Sequence, residues 1–156
     1  MPKVQDSIEV QVPVQQAYNQ WTQFEQFPKF MGGIQSVQQL DETHVQWVAE
    51  FGGASRQWTT EITEQKPDEK IAWKTIKGEV KNDGVVTFEQ VGANQTRVNV
   101  EMDVEGDSST ENVAGYLLGI VKGQVHGDLE RFKQLIENRD EETGDWRGEI
   151  KDGETT

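Results

Sequence analysis

The sequence lacks cysteine altogether and is poor in histidine and proline. Its 156 residues include no cysteine, two histidines and four prolines. Without cysteine the chain has no disulfides, no thiolate metal ligands and no thiol nucleophile. The lack of disulfides is consistent with a reducing compartment such as the cytoplasm.

Long apolar runs are also missing. No stretch approaches the ~18 consecutive apolar residues that a membrane-spanning helix needs. The first six residues, MPKVQD, lack the apolar region of a signal peptide. We therefore expect a cytoplasmic protein without stable membrane insertion.

Positive charge is scarce. There are 15 lysines and arginines against 28 aspartates and glutamates, which gives a formal net charge of -13. A surface of this sign is repelled by phosphate backbones and by anionic lipid headgroups. We expect no nucleic-acid partner, and no feature of the sequence indicates an oligomeric state.

Motifs for metal, nucleotide or serine-nucleophile chemistry are absent. His44 and His126 do not form an H-E-x-x-H pair, and no G-x-S-x-G, Walker or G-x-G-x-x-G motif occurs. We therefore expect no cofactor and no metal.

Four glycines recur on a predicted helix, where they indicate a kink, a mobile lid or a smooth face against a partner chain. They are Gly115, Gly119, Gly123 and Gly127.

The apolar third of the sequence is organised into recognisable elements. A first alternating strand is followed by a helix with i, i+3, i+4 spacing from Val14 to Phe24 and by a short helical segment around Phe27. From about residue 45 to 105 the apolar period is two, which predicts a series of antiparallel hairpins. The inner positions of the predicted strands are Val4, Ile8, Val10 and Val12; Val45, Trp47, Ala49 and Phe51; Arg56, Trp58, Thr60 and Ile62; Ile71 and Trp73; Val86 and Phe88; and Thr96, Val98, Val100, Met102 and Val104.

A long amphipathic helix is predicted near the C-terminus. Its apolar residues share an arc of roughly 120°, wide enough to lie on the concave face of a sheet. They are Leu117, Leu118, Val121, Val125, Leu129, Phe132, Leu135 and Ile136. Residues 139–156 are acidic and polar apart from Trp146, and they predict a flexible, solvated tail after a domain of residues 1–138.

The order of elements and several segments resemble the START/Bet v 1-like superfamily (SRPBCC), and most closely its bacterial polyketide cyclase/dehydrase-like branch. The similar segments are FEQFPKF at 24–30, IAWK at 71–74, GVVTF at 84–88, TRVNV at 96–100 and DLERFK at 128–133. The resemblance implies an α+β helix-grip fold. In that fold a curved antiparallel sheet of six to seven strands, with two short N-terminal helices, closes on a long C-terminal helix.

The inner face of the predicted sheet carries the candidate site. Trp47, Trp58 and Trp73 lie on three strands and would offer flat apolar walls and indole N–H groups to a ligand. An ordinary packed core is the alternative, and the resemblance favours a cavity between sheet and C-terminal helix. The candidate ligand-binding residues are Trp47, Arg56, Trp58, Ile71, Trp73, Phe88, Met102, Tyr116 and Ile120.

Two functions fit such a cavity. The first is binding or transport of an apolar small molecule such as a lipid, a quinone or a polyketide-like compound. The second is an aromatase/cyclase or dehydratase reaction, for which Arg56 and Tyr116 are weak catalytic candidates. Cyclisation needs a proton acceptor near the substrate, and no histidine, aspartate or glutamate is placed securely on the inner face. The sequence therefore favours binding over catalysis.

Arg56 itself has two interpretations. Its side chain either reaches solvent at the rim of the sheet or anchors a carboxylate, carbonyl or enolate of the ligand.

Overall fold

An antiparallel sheet curls around the C-terminal helix in the computed structural model, which describes residues 3–29, 34–51, 54–78, 81–105, 125–137, 148–151 and 153–155. The strands are β1 (Lys3–Val10), β2 (Ile34–Gln39), β3 (His44–Phe51), β4 (Ala54–Lys66), β5 (Lys70–Gly78), β6 (Lys81–Gly92), β7 (Gln95–Glu105), β8 (Ile150–Lys151) and β9 (Glu154–Thr155). The helices are α1 (Val14–Trp21), a short 3₁₀ helix (Phe24–Lys29) and α2, which includes residues 125–137.

The main path of the sheet has seven strands in the order β1-β7-β6-β5-β4-β3-β2. Strands β2 to β7 are each hydrogen-bonded to the next along the chain, and β1 pairs with β7. All these pairs are antiparallel. The predicted α+β helix-grip fold is therefore confirmed, including its seven-stranded sheet and two short N-terminal helices.

The apolar stripe of α2 lies buried against the sheet and α1. Leu129, Phe132 and Ile136 are at most 2% exposed, and they repeat at helical spacing. The rings of Phe132 and Trp21 meet edge to face with centroids 4.9 Å apart. Within the described part of the chain, no helix has the length and apolarity needed to span a membrane.

Polar contacts with β1 and the turn after it fasten both ends of the described part of α2. At one end His126 Nδ1 lies 2.9 Å from the Asp6 carboxylate. At the other end Lys133 Nζ donates to the carbonyl of Glu9, and Gln11 N–H donates to Glu137. Burial alone would raise the pKa of Glu137, but hydrogen bonds from Lys133 and Gln11 outweigh it and lower that pKa.

A bulge in β4 changes which side chains face the core. The register shifts between Ile62 and Glu64, so that Gln65 turns inward although strict alternation would place Glu64 there. Gln65 is 2% exposed and donates through Nε2 to the hydroxyl of Tyr18 at 3.1 Å. The bulge thus supplies a buried hydrogen bond between the sheet and α1.

The sequence prediction of a solvated tail is wrong at Ile150. This residue is 3% exposed, and β8 pairs with β4 through Gln65↔Ile150 and Glu64↔Lys151. The reason is that β4 continues beyond Glu61, which pairs with His44, the first residue of β3. The overhanging backbone of β4 needs partners, which β8 supplies. Trp146 lies outside the described residues.

Truncating Ile150 tests whether this C-terminal strand stabilises the fold. We expect Ile150→Ala to lower the free energy of unfolding by about 2–4 kcal/mol, because a buried isoleucine leaves a cavity. Lys151→Ala is the matched control, since Lys151 is the exposed neighbour on the same strand. Urea unfolding measures both variants, and equal stability of the two would contradict the docking of β8.

The backbone of β6 passes closely beneath a tryptophan at Gly84. A Cβ at this position would lie 2.7 Å from the Glu101 carbonyl and 2.8 Å from Cζ2 of Trp73. At Gly92 of the same strand a Cβ would meet only the flexible side chain of Gln95, at 3.3 Å. Only glycine therefore leaves room for the Trp73 indole this close to β6.

We expect Gly84→Ala to destabilise the protein by about 1–3 kcal/mol, since the added methyl overpacks a backbone contact. It should also shift the emission of Trp73, because the indole has to move. Gly92→Ala serves as the control and should do neither. Chemical unfolding followed by tryptophan fluorescence reports both effects, and an unshifted spectrum in Gly84→Ala would show that the indole is not held there.

Candidate ligand cavity

A cavity of about 110 Å³ lies between the inner face of the sheet, the N-terminal helices and α2. Among the described residues, its lining is apolar except for Thr60, Asn82 and Asp128. The apolar lining residues are Trp21, Phe24, Phe27, Ile34, Val45, Trp47, Trp58, Ile62, Ile71, Trp73, Val100, Met102, Val125 and Leu129.

Aromatic rings form one wall of the cavity. Trp47 and Trp58 are directly opposite each other on β3 and β4, and their rings stack at 6.1 Å with an interplanar angle of 4°. Phe27 from the 3₁₀ helix lies 5.7 Å from Trp47. Cross-strand partners share one face of a sheet, so the pairing register brings these indoles together. The result is a flat apolar surface suited to a ring-shaped or chain-like ligand.

The indole N–H groups of two wall residues bond to the protein rather than pointing at a ligand. Trp47 Nε1 donates to Thr60 Oγ1 at 2.9 Å, and Trp73 Nε1 donates to Asn82 Oδ1 at 3.3 Å. Buried N–H groups need such partners, because an unpaired one carries a desolvation cost. These two N–H groups are therefore already paired, and the rest of each indole ring offers an apolar surface.

Five of the nine predicted ligand-binding residues line the cavity. They are Trp47, Trp58, Ile71, Trp73 and Met102. Period-two alternation sufficed to place all five, because each lies on the inner face of a regular strand. Tyr116 and Ile120 lie outside the described residues.

The structure places two other candidates away from this lining. Phe88 is buried, but it packs against Tyr18 at 5.4 Å and Trp21 at 6.2 Å, where α1 covers its end of the sheet. Arg56 is half-buried opposite Ala49, further along the β3–β4 hairpin than the pair of stacked tryptophans. Alternation gave the correct face for both residues, but not their position along the sheet.

Sequence reasoning missed the acidic residue of the site. The side chain of Asp128 is 13% exposed, and its Oδ1 accepts from Arg131 Nη2 at 2.6 Å. Asp128 follows Val125 by three positions and precedes Leu129, so it flanks the apolar stripe of α2. The spacing of three residues from Val125 was the sequence signal that could have placed Asp128 beside the apolar stripe. Asn82 was also missed, although it has the inward parity of Val86 on β6.

Neither histidine contributes to the described cavity lining. His44 is on β3, with Nδ1 2.9 Å from Asp41 and Nε2 3.5 Å from Glu61. The hydrogen bond from His44 and the backbone N–H of Thr43 lower the pKa of Asp41 to about 2. His126 is 67% exposed and lies at the surface.

Comparison with known proteins identifies the family to which this chain is similar. A family model described as polyketide cyclase / dehydrase and lipid transport matches residues 10–137. An uncharacterized 17.2 kDa protein of Streptomyces lincolnensis is 52% identical over 150 residues, which cover 96% of this chain and 99% of the relative.

Two solved structures are similar in fold. The ZhuI aromatase/cyclase of a Streptomyces species is 15% identical with a TM-score of 0.76, over 88% of this chain and 94% of that one. A START superfamily protein of Mycobacterium smegmatis is 19% identical with a TM-score of 0.69, over 88% and 95%. These two likenesses concern the fold, and the family match over residues 10–137 establishes that the chain belongs to the polyketide cyclase/dehydrase and lipid transport family.

Proposed function

We propose that this protein binds and carries an apolar small molecule in the cavity between its sheet and α2. The observation that carries the proposal is the lining, in which aromatic and aliphatic side chains surround an unfilled space of about 110 Å³. Well-packed cores leave few voids larger than a water molecule, so an apolar space of this size supports binding of a ligand there.

Binding here depends on apolar burial. Burying ~300 Å² of ligand surface contributes ~7.5 kcal/mol before the cost of association. Association costs several kcal/mol, so micromolar-class affinity is the upper range expected. The hydrogen bonds of Trp47 and Trp73 within the protein leave the ring faces as the main contact surface.

The size of the cavity limits the part of a ligand that is enclosed. Drug-sized ligands usually occupy ~300–1,000 Å³, whereas an apolar cavity of ~150 Å³ accepts benzene. A space of about 110 Å³ therefore encloses a compact apolar group, and a longer molecule requires outward movement of α2 or of the tryptophans. We propose that a lipid, quinone or polyketide-like ligand inserts its apolar end here.

An aromatase/cyclase or dehydratase is the second candidate. Asp128 supports it, because a carboxylate in the cavity lining is a possible proton acceptor. Asn82 supplies an amide that could donate to a developing enolate oxygen. The ion pair of Asp128 with Arg131 opposes this role, since a carboxylate stabilised in its charged form is a weaker base.

Truncation of one stacked tryptophan tests the binding site. Trp47→Ala should weaken the binding of Nile red, an uncharged apolar dye, by about tenfold, because an aromatic ring worth more than 1.4 kcal/mol of contact is lost. Trp47 is half-buried, so the fold should survive. Dye fluorescence titration measures the affinity, and circular dichroism checks the fold.

Phe88→Leu is the matched control for this experiment. Phe88 is a buried aromatic residue outside the described lining, so its shortening should change stability while dye affinity stays within about twofold. Wild-type protein that binds no apolar dye would contradict both candidate functions. Equal losses in the two variants would place the dye elsewhere.

Recovery of the natural ligand separates carrier from enzyme. Purified protein incubated with a cell extract should retain an apolar molecule that native mass spectrometry detects. Under the carrier hypothesis, the released molecule is chemically unchanged after prolonged incubation. A product lighter by one water, formed only with protein present and lost in Asp128→Asn, would instead establish the dehydratase.

A further inference from the structure

Among the described residues, the lining of the cavity carries charge of one sign. Of the described lining residues, Asp128 is the one with an ionisable side chain, and its charge is negative. The cation expected on this face, Arg56, does not belong to that lining. An anionic ligand headgroup therefore meets a carboxylate where the sequence had suggested a guanidinium.

We infer that Asp128 makes the cavity select uncharged groups over anionic ones, so that a compact ketone, quinone or alcohol enters it and a compact carboxylate is rejected. This inference rests on the proposed binding function and names the ligand class of that same site. Two like charges repel strongly where water is scarce, because the effective dielectric constant there is far below that of bulk water.

The position of Asp128 makes this repulsion effective. Its side chain is 13% exposed and is flanked by the lining residues Val125 and Leu129 of α2. A ligand carboxylate in the cavity loses hydration and gains no positive partner among the described lining residues, which is costly. Thr60 already accepts from Trp47, and Asn82 is an amide, which suits a carbonyl or hydroxyl oxygen.

Arg131 compensates Asp128 only in part. Its guanidinium bonds to Asp128 Oδ1 from a side chain that is 46% exposed, and it is not one of the described lining residues. Solvent screens this exposed cation more than the enclosed carboxylate. The formal net charge of -13 acts in the same direction as Asp128, although at long range. A control for overall charge is therefore essential.

A matched ligand pair tests the inference. Naphthyl methyl ketone and naphthoate have nearly the same shape. They differ at one position, where the ketone has a methyl group and naphthoate has a negatively charged oxygen. Displacement of Nile red from the wild-type protein should give at least about tenfold tighter binding of the ketone, which corresponds to about 1.4 kcal/mol. In Asp128→Asn the preference should fall to about threefold or less, mainly through tighter naphthoate binding.

Three further variants isolate the cause. Asp128→Glu keeps the charge and should keep the preference for the ketone. Glu130→Gln removes one exposed negative charge from the same helix and should leave the preference unchanged. Arg131→Gln should strengthen the preference for the ketone. In the double variant with Asp128→Asn, naphthoate binding should still improve relative to Arg131→Gln alone. This result would exclude the alternative that Asp128→Asn acts by freeing Arg131 to attract naphthoate.

The outcomes distinguish this inference from the proposed function. Failure of Nile red to bind the wild-type protein would overturn the binding function itself. Dye binding with equal displacement by ketone and naphthoate would overturn only the charge selection. A preference that persists in Asp128→Asn, a loss of preference in Glu130→Gln, or a ketone that fails to displace the dye would overturn it as well.

Discussion

The packing of one helical stripe on the inner face of a curled sheet is the interaction on which this structure depends. Leu129, Phe132 and Ile136 are almost completely buried there, and truncating any of them to alanine would cost about 2–5 kcal/mol. The same contact closes the cavity, because Leu129 is also one of its lining residues. Stability and the binding site therefore share a surface.

The polar contacts at the ends of α2 complete this arrangement. His126 with Asp6, and Lys133 and Glu137 with the end of β1 and the turn after it, attach the described part of α2 along the sheet, and the residues around His126 border the cavity. Exposed ion pairs contribute little each, so we assign them a role in orienting α2 rather than in stabilising it. A helix oriented in this way can border a space that apolar packing would otherwise fill.

Membership of the polyketide cyclase/dehydrase and lipid transport family agrees with the site without naming a reaction. A shared fold supports many activities, and the chemistry depends on a few side chains in the cavity. Among the described residues, the polar side chains of the lining are Thr60, Asn82 and Asp128, of which one is charged. Both proposed roles of Asp128, in catalysis and in ligand selection, depend on this placement.

The sequence by itself determined the fold class and five cavity residues. Period-two and helical spacings indicate which face of a strand or helix a residue occupies. For Trp47, Trp58 and Trp73, knowing the face was enough to place them in the lining of the cavity. These patterns hold because burial of one face is what stabilises each strand and helix.

Only the tertiary structure decided where along those faces the cavity lies and what else reaches it. Arg56 and Phe88 have the expected parity but are not among the described lining residues, since the pairing register and the covering α1 set the position along the sheet. Ile150 is buried because the overhang of β4 offers it an edge, and no local pattern in an acidic segment reports such a partner. Asp128 borders the cavity beside Val125 and Leu129, and helical spacing alone does not report which flank of the apolar stripe faces that space.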